Sequence, residues 1–187
     1  AAFVRERFGT TEAGNYRDEA TGERTGRNVL HLKTPLSDAE RARWEPLRAR
    51  LFASREGRVR PLKDDKVLTD WNGLMISAFA RAGRAFGDAA LVAQARRAAD
   101  FVLSELRTEG GRLLKRWRGG EAGLDGMLED HAFLAQGLLD LFEGCQEVAY
   151  LEAARGIVDT AIRHFHDAEA GGFFLSPDDG EVLLVRS

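Results

Sequence analysis

The chain has a single cysteine, Cys145, so it cannot form an internal disulfide or a cysteine-rich metal site. This cysteine usage fits a reducing compartment, and we expect a cytoplasmic protein. No apolar run approaches the roughly 20 residues that a membrane-spanning helix needs, so no membrane association is expected. The 27 basic and 30 acidic residues give a net charge of −3, which argues against a broad basic surface for nucleic acid.

Sequence signals for common cofactors and nucleophiles are also missing. No phosphate-binding glycine loop, zinc-ligand spacing or Ser-His-Asp motif occurs. We therefore expect neither a cofactor nor a metal. The chain begins Ala1-Ala2-Phe3, without an initiator Met or a signal peptide, and we interpret both ends as cuts in a longer protein.

What the chain does contain is an internal repeat of about 60 residues. A period of this size is typical of proteins built from repeated supersecondary units. The matching pairs are Asp70 with Asp130, Leu91 with Leu151, and Gly110-Gly111 with Gly171-Gly172.

Each repeat predicts two helices followed by a short strand. The first repeat predicts a helix over 69–86, a second helix that follows Gly87-Asp88, and a strand over 113–117. The second repeat predicts helices over about 128–142 and 147–165, and a hairpin of strands over 173–175 and 182–185. The first helix carries one apolar face, which consists of Trp71, Leu74, Met75, Ala78, Ala82 and Ala85.

Before the repeats, residues 1–36 predict the loop- and strand-rich end of an earlier unit. Residues 37–56 predict a helix that opens with a Ser37–Glu40 capping box and is kinked or split at Pro46. The whole chain, 1–187, would then be one fragment of a helical barrel domain, with hairpin units at 57–120 and 121–187. Closing a ring of six such hairpins would need roughly 360 residues, so this chain can supply only a sector.

Polar residues just before the first helix of each pair are the candidates for chemistry, because the inner helices of a toroid point one set of ends at a shared cavity. Asp64 and Asp65 could act as general acid or base, and Trp71 with Asn72 could hold a sugar ring. The alternative is structural: the aspartates cap a helix and Trp71 belongs to the core.

Asp130 and His131 occupy the equivalent place in the second repeat. A carboxylate could serve as acid or base there, and a histidine titrates in the range that suits proton abstraction. The alternative is a histidine that is structural or merely exposed. Arg116 and Trp117 pair a charge with an aromatic ring, as carbohydrate sites often do, although a surface cation–π contact explains them equally well.

Several segments of the chain are distinctive motifs. Residues 64–76 read DDKVLTDWNGLMI and residues 129–141 read EDHAFLAQGLLDL. Further segments are FGTTEAGN at 8–15, NVLH at 28–31, GGFF at 171–174 and LLVR at 183–186. Together these motifs resemble those of one family, the thioredoxin-domain-containing proteins of the YyaL and spermatogenesis-associated protein 20 type, and the resemblance covers nearly the whole chain.

The resemblance implies a thioredoxin-like domain followed by an (α/α)6 barrel, similar to N-acylglucosamine 2-epimerase, cellobiose 2-epimerase and several glycosidases. We therefore expect a mainly α fold, a partial (α/α)6 toroid with short β-hairpins between helical pairs. The redox cysteines of the thioredoxin-like domain are absent here, so no redox role is implied. The family commonly has Tyr where His131 stands, and the related epimerases use two histidines.

The leading hypothesis from the resemblance is a carbohydrate-active domain, either a sugar epimerase or isomerase or a glycosidase-like enzyme. The alternative is a non-catalytic barrel that binds a ligand or protein and serves the thioredoxin-like domain. A purely structural scaffold is a third reading. Apolar helix faces left bare by truncation would also favour self-association.

Overall fold

The structure is a computed structural model that describes residues 2–181 and 184–186. The chain divides into two compact units, residues 1–62 and residues 63–187. Among the described residues, no helix is both long and apolar enough to cross a lipid bilayer.

The first unit contains two helices, α1 (Ala2–Arg7) and α2 (Asp38–Glu56). The predicted capping box opens α2: the Glu40 N–H donates to Ser37 Oγ, and the Ser37 N–H donates to Glu40 Oε2. Of the kink or split predicted at Pro46, the split does not occur, since α2 runs through this residue. A proline removes a single N–H donor, and the turns on either side of it keep their own hydrogen bonds.

The segment between these helices is less regular than predicted. Instead of short strands, it has one isolated pairing, between Arg17 and Arg24. The Asn15 side chain takes the place of a strand ladder, because its amide donates to the carbonyls of Gly9 and Val29 while its oxygen accepts from the Val29 N–H. Side-chain bonds of this kind satisfy backbone groups without a sheet.

The second unit is a pair of helical hairpins with a small antiparallel sheet. The elements in chain order are β1 (Val67–Leu68), α3 (Thr69–Phe86), α4 (Ala89–Glu105), β2 (Leu114–Arg118), β3 (Glu121–Asp125), α5 (Leu128–Cys145) and α6 (Val148–Phe165). The sheet order is β1-β2-β3, with Val67 opposite Trp117 and Arg116 opposite Gly123.

The predicted turn between α3 and α4 is present. Gly87 ends α3 with a left-handed φ of 65°, and the Asp88 side chain caps α4 by accepting from the Ala90 N–H. In the second hairpin Gln146 takes the left-handed position, with a φ of 60°. This conformation is uncommon for a residue other than glycine.

The strands were predicted less well than the helices. β3 was missed, since the sequence pattern predicted only one strand in this region, over 113–117. The strand predicted over 173–175 was wrong: Phe173 makes one isolated pairing with His166, and the segment is otherwise irregular. Its predicted partner over 182–185 lies partly outside the described residues, and Leu184 and Val185 form a bend.

Helices α3 and α5 touch along their backbones through two glycines. A Cβ atom added at Gly73 would lie 2.5 Å from the carbonyl carbon of Phe133, and one added at Gly137 would lie 2.5 Å from the carbonyl oxygen of Gly73. No side chain fits at either distance, so glycine is required for this approach. The core around this crossing includes Ile76, Val102, Leu106, Leu113, Leu134, Leu138, Leu141 and Ile157.

The apolar face that the sequence indicates on α3 is mostly exposed. We call its residues the α3 stripe: Trp71, Leu74, Met75, Ala78, Ala82 and Ala85. All are exposed except Ala82, which is half-buried. The buried face of α3 is formed instead by Asp70, Gly73, Ile76, Ala80 and Gly83.

Candidate functional site

A lysine and three carboxylates meet where α3 and α5 begin. Lys115, on β2, places its Nζ atom 3.4 Å from Glu129 Oε1, 3.4 Å from Asp130 Oδ2 and 3.7 Å from Asp70 Oδ2. Glu129 and Asp130 lie in the first turn of α5, and Asp70 lies in the first turn of α3. The sheet therefore supplies the cation and the two helix ends supply the anions. We call these four residues the Lys115 cluster.

Asp130 is the buried centre of the cluster. Its Oδ2 atom accepts from the Met127 N–H at 2.8 Å, and its Oδ1 atom accepts from the Asp70 N–H at 3.1 Å. One carboxylate thus binds free N–H groups at the starts of both α5 and α3. Burial raises the pKa of Asp130 above its ordinary value, while the Met127 N–H and the Lys115 charge oppose that shift.

Lys115 keeps its positive charge at neutral pH. Burial works to lower its pKa, but the charges of Asp130, Asp70 and Glu129 outweigh burial and raise the pKa above its ordinary value. The lysine side chain is 29% exposed and that of Glu129 is 36% exposed. Both groups can therefore contact a ligand, whereas Asp130 is fully buried.

The exposed side of Lys115 lines a cleft of about 260 Å³. The cleft lies between the β2–β3 hairpin, the start of α5 and the loop after α6, and its walls are mainly apolar. Leu124, on its wall, has a left-handed φ of 62°, a strained backbone for a leucine. Ser176, also on the wall, has an Oγ atom that is buried and finds no hydrogen-bond partner among residues 2–181 and 184–186.

His131 lies beneath this surface. It is buried, its Nδ1 atom is 2.8 Å from the Met127 carbonyl oxygen, and its ring centre is 5.0 Å from that of Phe165. Burial lowers the pKa of His131, and the neighbouring charges of Arg112 and His164 act in the same direction. The neutral imidazole is thus held inside the protein, away from any ligand in the cleft.

Asp64 and Asp65 are exposed and lie before β1. Asp64 pairs with Lys66 at 2.8 Å, which lowers the pKa of Asp64, and Asp65 accepts from Arg118 Nε at 2.7 Å. In the described part of the chain neither carboxylate bonds to Lys115. The structure therefore brings Asp130 and His131 together and places Asp64 and Asp65 at the other end of β1.

The four residues predicted to hold a sugar lie in different surroundings. Trp71 is 70% exposed on the α3 stripe, and the Asn72 amide donates to the Leu68 carbonyl at 2.7 Å. Trp117 packs edge-on against Phe101 at 5.5 Å and joins the core, while Arg116 is half-buried in β2. These sugar contacts remain predictions.

Sequence reasoning missed Lys115, the residue that joins the cluster. The sequence did contain a signal for this residue. Asp70 and Asp130 are matched carboxylates of the 60-residue repeat, and Lys115 lies on the short strand that follows the first helical hairpin. It also missed a second polar contact between α3 and α5, where Ser77 Oγ and Gln136 Nε2 both donate to the buried Asp140.

Outside the cluster, His164 lies beside two aspartates of the next loop. Its Nδ1 atom is 2.9 Å from Asp178 Oδ1 and 3.5 Å from Asp179 Oδ2. These three residues could in principle hold a cation. Arg112 already binds both oxygens of Asp179, at 2.7 and 2.8 Å, so the group is an ion-paired loop anchor.

The chain has relatives among curated proteins. It is 35% identical to human spermatogenesis-associated protein 20 and 36% identical to the mouse protein, over 98% of this chain in both cases. The chain spans about a quarter of these relatives, since the match covers 26% of their length. No protein-family model matches the chain.

Solved structures share the fold at low sequence identity. A cellobiose 2-epimerase from Spirochaeta thermophila has a TM-score of 0.56 and 18% identity, over 64% of this chain and 34% of the epimerase. A GH76 α-mannanase from Bacteroides thetaiotaomicron has a TM-score of 0.55 and 18% identity, over 78% of this chain and 45% of the mannanase. The chain is thus a homologue of one part of spermatogenesis-associated protein 20, and its fold is part of the six-hairpin toroid of sugar epimerases and glycosidases.

Proposed function

We propose that this chain contributes the Lys115 cleft to a carbohydrate-active toroid, and that a sugar binds there and is acted on by carboxylates. One observation carries the proposal: a charged lysine, held by three carboxylates where two inner helices begin, lines an apolar-walled cleft. Ligand sites of this kind combine apolar walls with a few convergent polar groups. The relatives by fold that act on sugars support the choice of ligand.

Each member of the cluster has a distinct proposed part. Lys115 donates to sugar hydroxyls, and Glu129, the more exposed carboxylate, acts as acid or base. Asp70 is the second carboxylate near the same lysine, and its side chain is 12% exposed, so only its outer edge faces a bound sugar. Glycoside hydrolysis requires paired carboxylates. Asp130 does not reach the sugar; it holds Lys115 and the two helix ends in place.

The proposed chemistry is carboxylate-based rather than histidine-based. Removing a proton next to a carbonyl suits a histidine that can reach the sugar. His131 is buried, its pKa is lowered, and its ring faces Phe165. A glycosidase-like reaction therefore fits this chain better than an epimerase reaction that depends on His131.

The alternative is a barrel that binds a ligand or protein without turning it over, in service of the thioredoxin-like domain. The burial of Asp130 and His131 favours this alternative, because two of the four predicted catalytic residues cannot touch a ligand. Saturable sugar binding without any new product would support this non-catalytic alternative.

The test is calorimetric titration of the full-length protein with mono- and disaccharides, followed by NMR analysis of each binder for product. We expect Lys115→Met to weaken sugar binding by at least about tenfold, the loss expected of one charge-assisted hydrogen bond. Lys66→Met is the matched control, since Lys66 also pairs with a carboxylate but lies outside the cleft. Equal binding by both variants would contradict the proposed site.

A further inference from the structure

The two sides of the Lys115 cleft come from different parts of the chain. One side is the β2–β3 hairpin, which carries Lys115 and Leu124. The other side is part of the loop after α6, residues 176–181, which we call the cleft loop. Its lining residues are Ser176, Pro177, Gly180 and Glu181. The width of the cleft therefore depends on how the cleft loop is held relative to the hairpin.

The cleft loop contains a tight turn that is attached to the end of α6. The Asp178 N–H donates to the His164 carbonyl at 2.9 Å. A Cβ atom added at Gly180 would lie 3.1 Å from Pro177 Cγ, so the two ends of the turn pack on each other. A displacement of the turn therefore displaces the residues that line the cleft on either side of it.

One ion pair joins the cleft loop to the strand side of the cleft. Arg112 Nη1 lies 2.8 Å from Asp179 Oδ1 and 2.7 Å from Asp179 Oδ2. Arg112 precedes β2, the strand that carries Lys115. Within residues 2–181 and 184–186, no other hydrogen bond or ion pair connects the cleft loop with residues 106–125.

The two partners of this pair are held differently. The Arg112 N–H donates to Thr108 Oγ1 at 3.1 Å, and the Arg112 carbonyl accepts from the Thr108 N–H at 2.9 Å. The Arg112 side chain is 21% exposed, whereas that of Asp179 is 52% exposed. The hydrogen bond from Arg112 lowers the pKa of Asp179, so this carboxylate is charged at neutral pH. The pair is therefore a charged contact between a fixed strand end and a surface turn.

We propose that the Arg112–Asp179 pair positions the cleft loop for ligand binding, by holding it against the hairpin at the distance that a bound sugar requires. The ligand in this proposal rests on the proposed function. An ion pair with an exposed partner contributes little to overall stability. Across a binding site, however, it holds a loop in its bound position and removes the cost of ordering that loop when the ligand binds. Loss of the pair should thus weaken binding although neither residue contacts the sugar.

Hydrogen exchange in the full-length protein tests whether the pair holds the loop. Asp179→Asn removes the charge and keeps the shape of the side chain, and mass spectrometry of the peptide containing residues 176–181 reports the exchange. We expect exchange at least about threefold faster in Asp179→Asn. Asp179→Glu keeps the charge and should recover most of the protection. Glu143→Gln is the matched control, because Glu143 forms an exposed ion pair with Arg84 near the end of α5, away from the cleft.

Calorimetric titration of the same variants tests the effect on the ligand, with cellobiose and mannobiose as probes because enzymes of the same fold act on such sugars. We expect Asp179→Asn to bind at least about threefold more weakly than the unaltered protein and Asp179→Glu to recover most of the affinity. Saturating sugar should also slow exchange of the loop peptide in the unaltered protein, since a ligand stabilises the state that it binds.

Unchanged exchange in Asp179→Asn would overturn the proposal whether or not a sugar binds. Faster exchange with unchanged sugar affinity would overturn the positioning role, because the loop would then move without consequence for the ligand. A different result, in which no mono- or disaccharide binds the unaltered protein, would contradict the proposed function itself and remove the ligand for which the loop is held.

Discussion

Helices α3 and α5 occupy equivalent places in the repeat, yet one buries a stripe that the other exposes. When the helices are aligned from their first residues, Thr69 and Leu128, the shift is 59 residues, one less than the 60 of the sequence repeat. In this alignment α5 has Asp130 and Leu134, both fully buried, where α3 has Trp71 and Met75, both exposed. The repeat explains the similarity of the two helices, and the packing of α5 on α3 explains why this face of α5 is buried. Burial of a side chain in this protein therefore depends as much on its position among the packed helices as on its residue type.

Neighbouring acidic residues at the start of α5 have different roles. Asp130 links the N-termini of both helices and is closed to solvent, while the side chain of Glu129, one residue earlier, is 36% exposed. An acidic residue in the first turn of a helix can thus either cap the helix or act on a ligand, and its exposure to solvent distinguishes the two roles.

The largest expected effect comes from the first matched pair. Asp130→Ala removes the acceptor of two backbone N–H groups and a partner of Lys115, so we expect a loss of roughly 3–5 kcal/mol in the free energy of unfolding. Trp71→Ala, at the matched position, should change it by less than about 0.5 kcal/mol in this chain. Urea unfolding of both variants measures the difference, and similar losses would show that the two positions are equivalent after all.

The second pair compares core with surface apolar residues. Leu134→Ala opens a cavity beside the α3 backbone and should cost roughly 2–5 kcal/mol. Met75→Ala removes a side chain that is mostly in water and should cost about 0.5 kcal/mol or less in this chain. Thermal unfolding followed by circular dichroism is sufficient, and a large loss for Met75→Ala would place that residue in a covered site.

The third pair tests the close contact between the backbones of α3 and α5 at Gly73 and Gly137. Gly137→Ala brings a methyl group against the Gly73 carbonyl, and we expect a net loss of roughly 1–3 kcal/mol from overpacking, despite the gain of about 1 kcal/mol in helix propensity. Ala78→Leu adds more atoms at the matched position but faces solvent, so unfolding in urea should show little change. Gly123→Ala is a further control, because nothing lies near its added Cβ.

The smallest expected effect is a pH dependence of the free energy of unfolding. We expect it from His131 on α5 and not from the matched residue on α3. His131 matches Asn72, and burial lowers the pKa of His131 below its ordinary value of 6.5. His131 therefore binds a proton more tightly in the unfolded chain than in the folded one. The free energy of unfolding keeps its full value above about pH 6.5 and falls as the pH drops below it, by at most about 1.4 kcal/mol per pH unit.

His131→Asn keeps a donor for the Met127 carbonyl and should flatten this part of the stability profile between pH 7.5 and 5.5. His31→Asn, at an exposed histidine, should leave the profile unchanged. An unchanged slope in His131→Asn would mean that another group is responsible for the pH dependence.

The sequence pattern predicted the helices well because their signals are local. The apolar spacing from Thr69 to Phe86 and the Gly87-Asp88 break match α3 and its end. The strand predicted at 173–175 was wrong, because a strand depends on a partner distant in sequence. The split at Pro46 does not occur for a local reason, since the helical turns on either side keep their own hydrogen bonds. The partial toroid itself followed from the family resemblance and agrees with the solved structures.

The candidate site was less predictable, because it forms between elements. Asp130 was identified from the repeat, but Lys115 reaches it only through the pairing of β2 with β1 at the start of α3. Asp64 and Asp65 lie close to α3 in sequence, yet β1 carries them away from that cluster to Lys66 and Arg118. Strand register, which these short segments do not specify, decides which side chains meet.

The most direct test of the proposed chemistry is turnover of a bound sugar by the full-length protein, followed by NMR. We expect Glu129→Gln still to bind the sugar but to form product at least about 100-fold more slowly, the range for loss of a general acid or base. Glu152→Gln, an exposed change on α6, should match the unaltered protein. Product formation by Glu129→Gln at the unaltered rate would contradict the proposed role of Glu129 as acid or base.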